Sequence, residues 1–110
     1  MRARAITRTV LAGALALASL GGMTPATAAT RRVLVVDNFF QPAARRVPRG
    51  TTVRWVNQGQ NRHTTTSVKG LWDATLDPDE AFARRFRRVG RFRYYCEVHD
   101  GMVGRIRVVA

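Results

Sequence analysis

Cysteine and histidine are scarce in this chain of 110 residues, which has one cysteine, Cys96, and two histidines, His63 and His99. A single cysteine excludes a disulfide bond within the chain. If both histidines hold one metal ion, no histidine remains for the further metal ligands that a copper oxidase needs for oxygen chemistry, and no Ser-His-Asp or paired-carboxylate constellation stands out. These absences predict a protein that is not an enzyme.

Acidic residues are also few, since seven Asp and Glu stand against 19 Lys and Arg and leave a net charge of +12. A strong positive charge favours acidic partners, among them a protein surface, anionic lipid, an anionic wall polymer or nucleic acid. The alternative is that the arginines form a solvated surface that only keeps the protein soluble.

The N-terminal segment has the pattern of an export signal. Arginines in the first eight residues precede an apolar run from Val10 to Leu20, which is shorter than the roughly 20 residues that span a bilayer. Ala26-Thr27-Ala28 then supplies an A-x-A cleavage site. We predict that residues 1–28 are a signal peptide, the alternative being an uncleaved anchor. Residues 29–110 would then be one exported domain in the periplasm or outside the cell, without a transmembrane anchor.

Removal of residues 1–28 would leave 16 basic and seven acidic residues, a net charge of +9. Export also makes nucleic acid a poor candidate partner. In an exported protein a lone cysteine needs an explanation, because cysteines there usually pair as disulfides. It could join two chains, be buried as a small apolar residue or bind a metal.

Short segments that alternate in polarity or are rich in β-branched residues recur along residues 29–110, and they predict β-strands. The clearest are Val33–Val36, Thr51–Val56, His63–Val68, Arg91–Cys96 and Arg105–Val108. The segment 81–89 fits a helix face or a strand, and we interpret it as a strand because turns recur about every ten residues. Many short, evenly spaced strands predict an all-β, antiparallel sandwich or barrel.

Four potential metal ligands stand out: Cys96, His99 and Met102, each three residues apart, and His63. Thiolate and thioether are soft ligands, and a His₂Cys set with a weak axial Met is typical of an electron-transfer copper site. Zinc would usually add another Cys or a carboxylate. Each residue alone has an ordinary explanation, such as a surface histidine or a core methionine. Together they predict one copper ion held by His63, Cys96, His99 and Met102.

Several motifs resemble those of the small blue-copper cupredoxins, the group of plastocyanin, pseudoazurin and amicyanin. Gly50 to Asn57 (GTTVRWVN) is similar to the family signature G-x-T-V-x-W-x-N, and Phe40-Gln41-Pro42 to its F-x-P. Leu76 to Phe82 resembles its L-x-P-G-x-x-F turn, with Asp79 where Gly is usual. The spacing C-x₂-H-x₂-M at Cys96 resembles that of amicyanin. Thr64 follows the first histidine where many members have Asn.

The resemblance implies a Greek-key β-sandwich, with His63, Cys96 and His99 as strong ligands and Met102 as the axial one. It also implies that His99 lies near the surface within an apolar patch where electrons leave.

We therefore predict an exported, monomeric type 1 copper protein that carries single electrons between redox partners. Arg91, Arg93, Arg105 and Arg107 alternate outward on two strands that flank the ligand loop, which suggests partners with acidic docking surfaces. The alternative is a copper-binding or delivery protein that carries no electrons, although the chain lacks the Met-rich or His-rich tracts that would favour it. An adhesion module that uses only the basic surface is a further alternative.

Overall fold

The computed structural model describes residues 29–110, so the predicted signal peptide lies outside the described residues. Within this range no helix is long and apolar enough to cross a membrane. The described residues form nine strands: β1 (Thr30–Val36), β2 (Phe39–Gln41), β3 (Ala44–Pro48), β4 (Thr52–Asn57), β5 (His63–Ser67), β6 (Asp73–Leu76), β7 (Ala81–Arg85), β8 (Gly90–Tyr95) and β9 (Val103–Val109).

The strands form two sheets, one with the order β3-β9-β8-β5-β6 and one with the order β2-β1-β4-β7. The all-β sandwich predicted from the sequence is confirmed. Its strands are not all antiparallel, because β9 pairs with β3 and β1 pairs with β4 in parallel. Both parallel pairs arise because the chain crosses between the sheets. After β1 and β2 of the four-stranded sheet, the chain forms β3 in the five-stranded sheet and then returns to the four-stranded sheet with β4.

Alternation along the strands matches the side chains that face the core. Val53 and Trp55 of β4 are fully buried while Arg54 is exposed, as the pattern predicts. Segment 81–89 is a strand only as far as Arg85, and Phe86 continues the same face into the core. The sequence reasoning missed β2, β3 and β6, because short edge strands have too few residues for a clear alternation.

The core between the sheets is built around Trp55. Its ring lies within 6.4 Å, centroid to centroid, of the rings of Trp72, Phe82, Phe86 and Tyr94. Such large side chains bury about 150–250 Å² each, so they contribute strongly to stability. Among the described residues, the buried core cluster extends from Val33 to Val108, so residues 29–110 form two sheets around a shared core.

Two ends of the sandwich can be defined from the strand directions. The Cys96 end consists of residues 37–38, 58–62, 77–80 and 96–102. The opposite end consists of residues 49–51, 68–72 and 86–89. The six residues of β8 connect the two ends, and at about 3.3 Å per residue they separate them by about 20 Å.

Candidate metal centre

His63 is the first residue of β5, and its side chain is completely buried. Buried Asn57 supports the loop that leads into it: its side-chain amide donates to the carbonyls of Asn61 and Leu76 at 2.9 and 2.8 Å. The Asn57 side-chain oxygen accepts from the backbone N–H of Gly59 at 2.8 Å. The backbone that carries His63 is therefore held on both sides by one buried side chain.

Asp37 orients the imidazole of His63. Its Oδ1 lies 2.6 Å from Nε2 of His63, and its carboxylate also accepts the backbone N–H groups of Gln60 and Asn61. The Gln60 N–H, followed by the bond to His63, lowers the pKa of Asp37. Because Asp37 remains ionised, Nε2 carries the proton and the lone pair of Nδ1 points the other way. A Cβ at position 59 would overlap this carboxylate, so Gly59 is required for the close approach.

The loop from Cys96 to Met102 presents three of the predicted ligands. The N–H of Cys96 donates to the carbonyl of Met102 at 2.9 Å, and the N–H of Met102 donates to the carbonyl of His99 at 3.3 Å. Gly101 has a φ of +77°, a left-handed conformation that glycine adopts without strain. These bonds close the loop on itself, so that Cys96 and Met102 are both buried next to the core.

The donor atoms of His63, Cys96 and His99 converge. All three lie within 4.8 Å of one another, with Sγ of Cys96 3.9 Å from Nδ1 of His63 and 3.5 Å from Nδ1 of His99. A first-row metal ion with a sulfur at about 2.3 Å and a nitrogen at about 2.0 Å places those two ligand atoms about 3.6–3.8 Å apart. The arrangement therefore fits one metal ion without a change in the fold.

The sulfur of Cys96 also accepts a hydrogen bond from the backbone N–H of Thr64 at 3.3 Å. The strand that carries His63 thus contacts the cysteine directly. Metal ions bind cysteine as the thiolate, and this buried N–H places a hydrogen-bond donor at that sulfur.

No protein-family model matches the chain. Among solved structures, it is similar to a purple cupredoxin from Nitrosopumilus maritimus at 26% identity and a TM-score of 0.66, covering 72% of this chain and 99% of that one. It is also similar to a Cu-containing nitrite reductase from Thermus scotoductus at 27% identity and a TM-score of 0.69, covering 82% of this chain and 24% of the larger enzyme. A reduced amicyanin mutant matches at 21% identity and a TM-score of 0.65, covering 80% and 88%. The chain has the cupredoxin fold.

The two segments that carry the predicted ligands are joined through Thr64, at the position where many of the sequences that this chain resembles have Asn. The Thr64 hydroxyl accepts from the N–H of Glu97 at 2.8 Å and lies 2.9 Å from the hydroxyl of Thr66. Thr66 in turn donates to Asp73 at 2.9 Å, so the Thr64 proton is directed to Thr66. The threonine thus links β5 to the ligand loop with its hydroxyl.

His99 is the most exposed of the three clustered residues, since it is half-buried while His63 and Cys96 are buried. Its neighbour Val98 is 53% exposed, as expected for an apolar patch. Two exposed carboxylates, those of Glu97 and Asp100, also border it along the chain. The surface at His99 is therefore apolar only in part.

Sequence reasoning missed Asp37 and the role of Asn57 in this site. Asp37 lies 26 residues before its histidine partner, and a lone acid in a turn carries no local signal of that contact. Asn57 was noted only as part of a motif. The signal available was its polar character at the end of a half-buried strand.

Proposed function

We propose that this cupredoxin is a type 1 copper protein that carries single electrons. The observation that supports this most is the convergence of the donor atoms of His63, Cys96 and His99 to within 4.8 Å, in a loop whose buried Met102 bonds through its backbone to Cys96 and His99. This donor set matches the trigonal His₂Cys site with a weak axial Met that is typical of blue-copper electron transfer. Bound copper would supply a one-electron couple between Cu(I) and Cu(II).

The protein's own contribution is to hold these ligands in place. Asp37 keeps the Nε2 proton on His63, Thr64 donates to the sulfur, and the loop bonds connect Cys96 with Met102. A frame fixed in this way limits how far the ligands move when the charge at the site changes. Half-buried His99 offers the shortest route from the site to solvent among the clustered ligands.

Burial favours electron transfer over copper delivery. His63 is 0% and Cys96 4% exposed, so a metal held there is enclosed by protein on the side of both residues. A delivery protein must present its metal to a recipient that exchanges ligands with it, which requires exposed donors. An electron needs no such access, because only the edge of one ligand has to approach the partner.

An absorption spectrum of the copper-loaded, oxidised protein tests the function. We expect an intense thiolate-to-copper band in the visible range, one copper per chain and reversible bleaching by a reductant. Zinc, which binds the same donors, is expected to leave the protein colourless and serves as the control. Stoichiometric copper binding without the band would disprove a cysteine-ligated copper site.

We also propose export, with cleavage after Ala28. The positively charged start, the apolar run and the A-x-A site support this proposal. N-terminal sequencing of the protein recovered outside the cytoplasm should begin at Ala29. A protein that retains Met1 there would contradict cleavage.

For the redox partner we propose an acidic docking surface that contacts the arginine face, defined as Arg46, Arg91, Arg93, Arg105 and Arg107. In the register of β8 and β9, Arg93 lies opposite Arg105 and Arg91 opposite Arg107, while Arg46 lies opposite Arg107 on the other side. Like charges directly opposite each other are unfavourable, so an opposing negative surface would relieve that repulsion.

Salt dependence tests the acidic partner. Electron transfer with the native partner should slow as salt rises, because screening acts beyond about 8 Å at physiological ionic strength. Replacing Arg91 and Arg93 with Gln should flatten the dependence and leave the copper spectrum unchanged. Replacing Arg87 and Arg88 with Gln removes the same charge at the opposite end, and it should change the salt dependence of the electron-transfer rate less. Rates insensitive to salt in the unaltered protein would contradict the proposal.

A further inference from the structure

Charge is divided between the two ends of the sandwich. Six of the seven acidic residues lie in loops of the Cys96 end, together with one basic residue, Arg62, which pairs with Asp77 at 2.7 Å. These six are Asp37, Asp77, Asp79, Glu80, Glu97 and Asp100. The seventh, Asp73, begins β6 and accepts a hydrogen bond from Thr66. The Cys96 end therefore carries a net charge of −5, and the rest of residues 29–110 carries +14.

A groove near the opposite end gathers five of the cations. Its volume is about 620 Å³, and its lining includes Lys69, Arg84, Arg85, Arg87 and Arg88 without any carboxylate. Leu71 and Phe92 line the same groove. A polyanion is the ligand chemistry that such a groove fits, because the cations repel one another in its absence.

Two of these cations are held in place by their neighbours. The guanidinium carbon of Arg84 lies 4.7 Å from the ring centre of Phe86 and 5.1 Å from that of Trp72. The Arg85 side chain donates to the carbonyl of Gly50 at 3.2 Å. Ordering these long side chains in advance lowers the entropy that is lost when an anion binds.

Exposed apolar side chains border the cations. Leu71 is 47% exposed and Val89 is 53% exposed, and both lie in turns of the opposite end. A soluble anion gains nothing from these side chains, whereas a bilayer interface accepts apolar groups beside its charged headgroups. The combination of a cationic groove with apolar turns therefore favours a lipid surface over a soluble polyanion.

We propose that the opposite end docks on an anionic membrane surface, with the groove cations over the lipid phosphates and with Leu71 and Val89 in the interface. The Cys96 end, about 20 Å away by the rise of β8, would then face away from the bilayer. Its negative charge would strengthen that orientation, because anionic lipid repels it. The proposal does not depend on bound copper, since membrane binding is measured on the metal-free protein.

Vesicle sedimentation of residues 29–110 tests the proposal, after a cooperative thermal unfolding transition has confirmed that this part is folded. We expect binding to phosphatidylcholine vesicles that contain phosphatidylglycerol and none to phosphatidylcholine alone. Each basic residue at an anionic surface strengthens binding by about fivefold, so replacing Arg87 and Arg88 with Gln should weaken it by about 25-fold. Leu71→Ser should weaken binding to the anionic vesicles. This loss should be several times larger than the loss that the same variant shows in binding soluble polyphosphate.

A matched control separates the groove from general charge. Replacing Arg93 and Arg105 with Gln removes the same charge from the arginine face, and we expect a smaller loss than for Arg87 and Arg88. Equal losses in the two double variants would overturn the proposal in favour of diffuse attraction. Vesicle binding that is unaffected by Leu71→Ser and is abolished by competing polyphosphate would overturn it in favour of a soluble polyanion site. Absence of binding to anionic vesicles at low salt would overturn it outright.

Discussion

The Cys96 end and the opposite end are built on the same strands but use their side chains differently. At the Cys96 end, polar groups are buried and bonded to one another: His63 to Asp37, Thr64 to Cys96, and Asn57 to its loop. At the opposite end the charged groups are the exposed cations Arg49, Lys69, Arg87 and Arg88, which lie outside a core of aromatic rings.

Buried polar groups cost stability unless they are hydrogen-bonded, so a cluster of them has to be precise in geometry. Exposed charges tolerate substitution and act at longer range. We therefore expect metal binding at the Cys96 end and propose surface recognition at the opposite end. Four substitutions test that division, beginning with the one expected to have the largest effect.

Cys96→Ser should abolish the thiolate-to-copper band entirely. It should also reduce copper affinity by more than the roughly 10- to 100-fold that is typical of losing an outer partner of a ligand. Absorption spectroscopy and competition with a chelator measure the two effects. Arg88→Gln, at the opposite end, is expected to preserve both. Comparable damage from Arg88→Gln would break the division between the ends.

Asp37→Ala should weaken metal binding by about 10- to 100-fold, because His63 loses the partner that fixes its proton and ring orientation. Asp37→Asn still offers an acceptor to Nε2 and should therefore lose less. Zinc and copper titrations provide the affinities. Asp77→Asn, which removes another carboxylate from the same end, is the control, and equal losses would mean that charge alone matters.

Met102→Gln should retain copper and lower its reduction potential, since an amide oxygen is a harder donor than a thioether and favours Cu(II). Voltammetry measures the shift. Met102→Leu keeps the apolar volume without a donor and serves as the comparison. If the Gln variant had the same reduction potential as the original protein, Met102 would only fill the core.

Asp79→Val should destabilise the fold by about 1–2 kcal/mol, because a β-branched side chain is strained at positive φ. Asp79 has a φ of +74°, a conformation that glycine adopts without strain, so Asp79→Gly should be tolerated. Thermal unfolding of the two variants gives the comparison. At the opposite end Gly50, with a φ of +96°, provides the same test, so Gly50→Val should be destabilising as well.

Much of the fold could be predicted because alternation is a local property. In the segment Arg91–Cys96, the inward positions Phe92, Tyr94 and Cys96 follow from every second residue being apolar. The three predicted ligands of the loop could be grouped because they are close in sequence. Edge strands β2, β3 and β6 were missed, since their pairing depends on neighbours that are distant in the chain.

The division of charge between the ends could not be predicted from composition. A net charge of +9 for residues 29–110 gives no indication that six acids gather in loops around the ligands. They meet because strands of opposite direction return their loops to the same end. The groove of Lys69 and Arg84–Arg88 likewise joins a turn and a strand from different sheets.

Sequence alone determined the donor types, their spacing around Cys96 and the strand pattern that carries them, because each depends on residues a few positions apart. Tertiary structure decided which atoms face the metal position and which residues support them. Asp37 reaches His63 across 26 residues and Thr64 reaches Cys96 across 32, and such contacts exist only after two sheets have closed over one core.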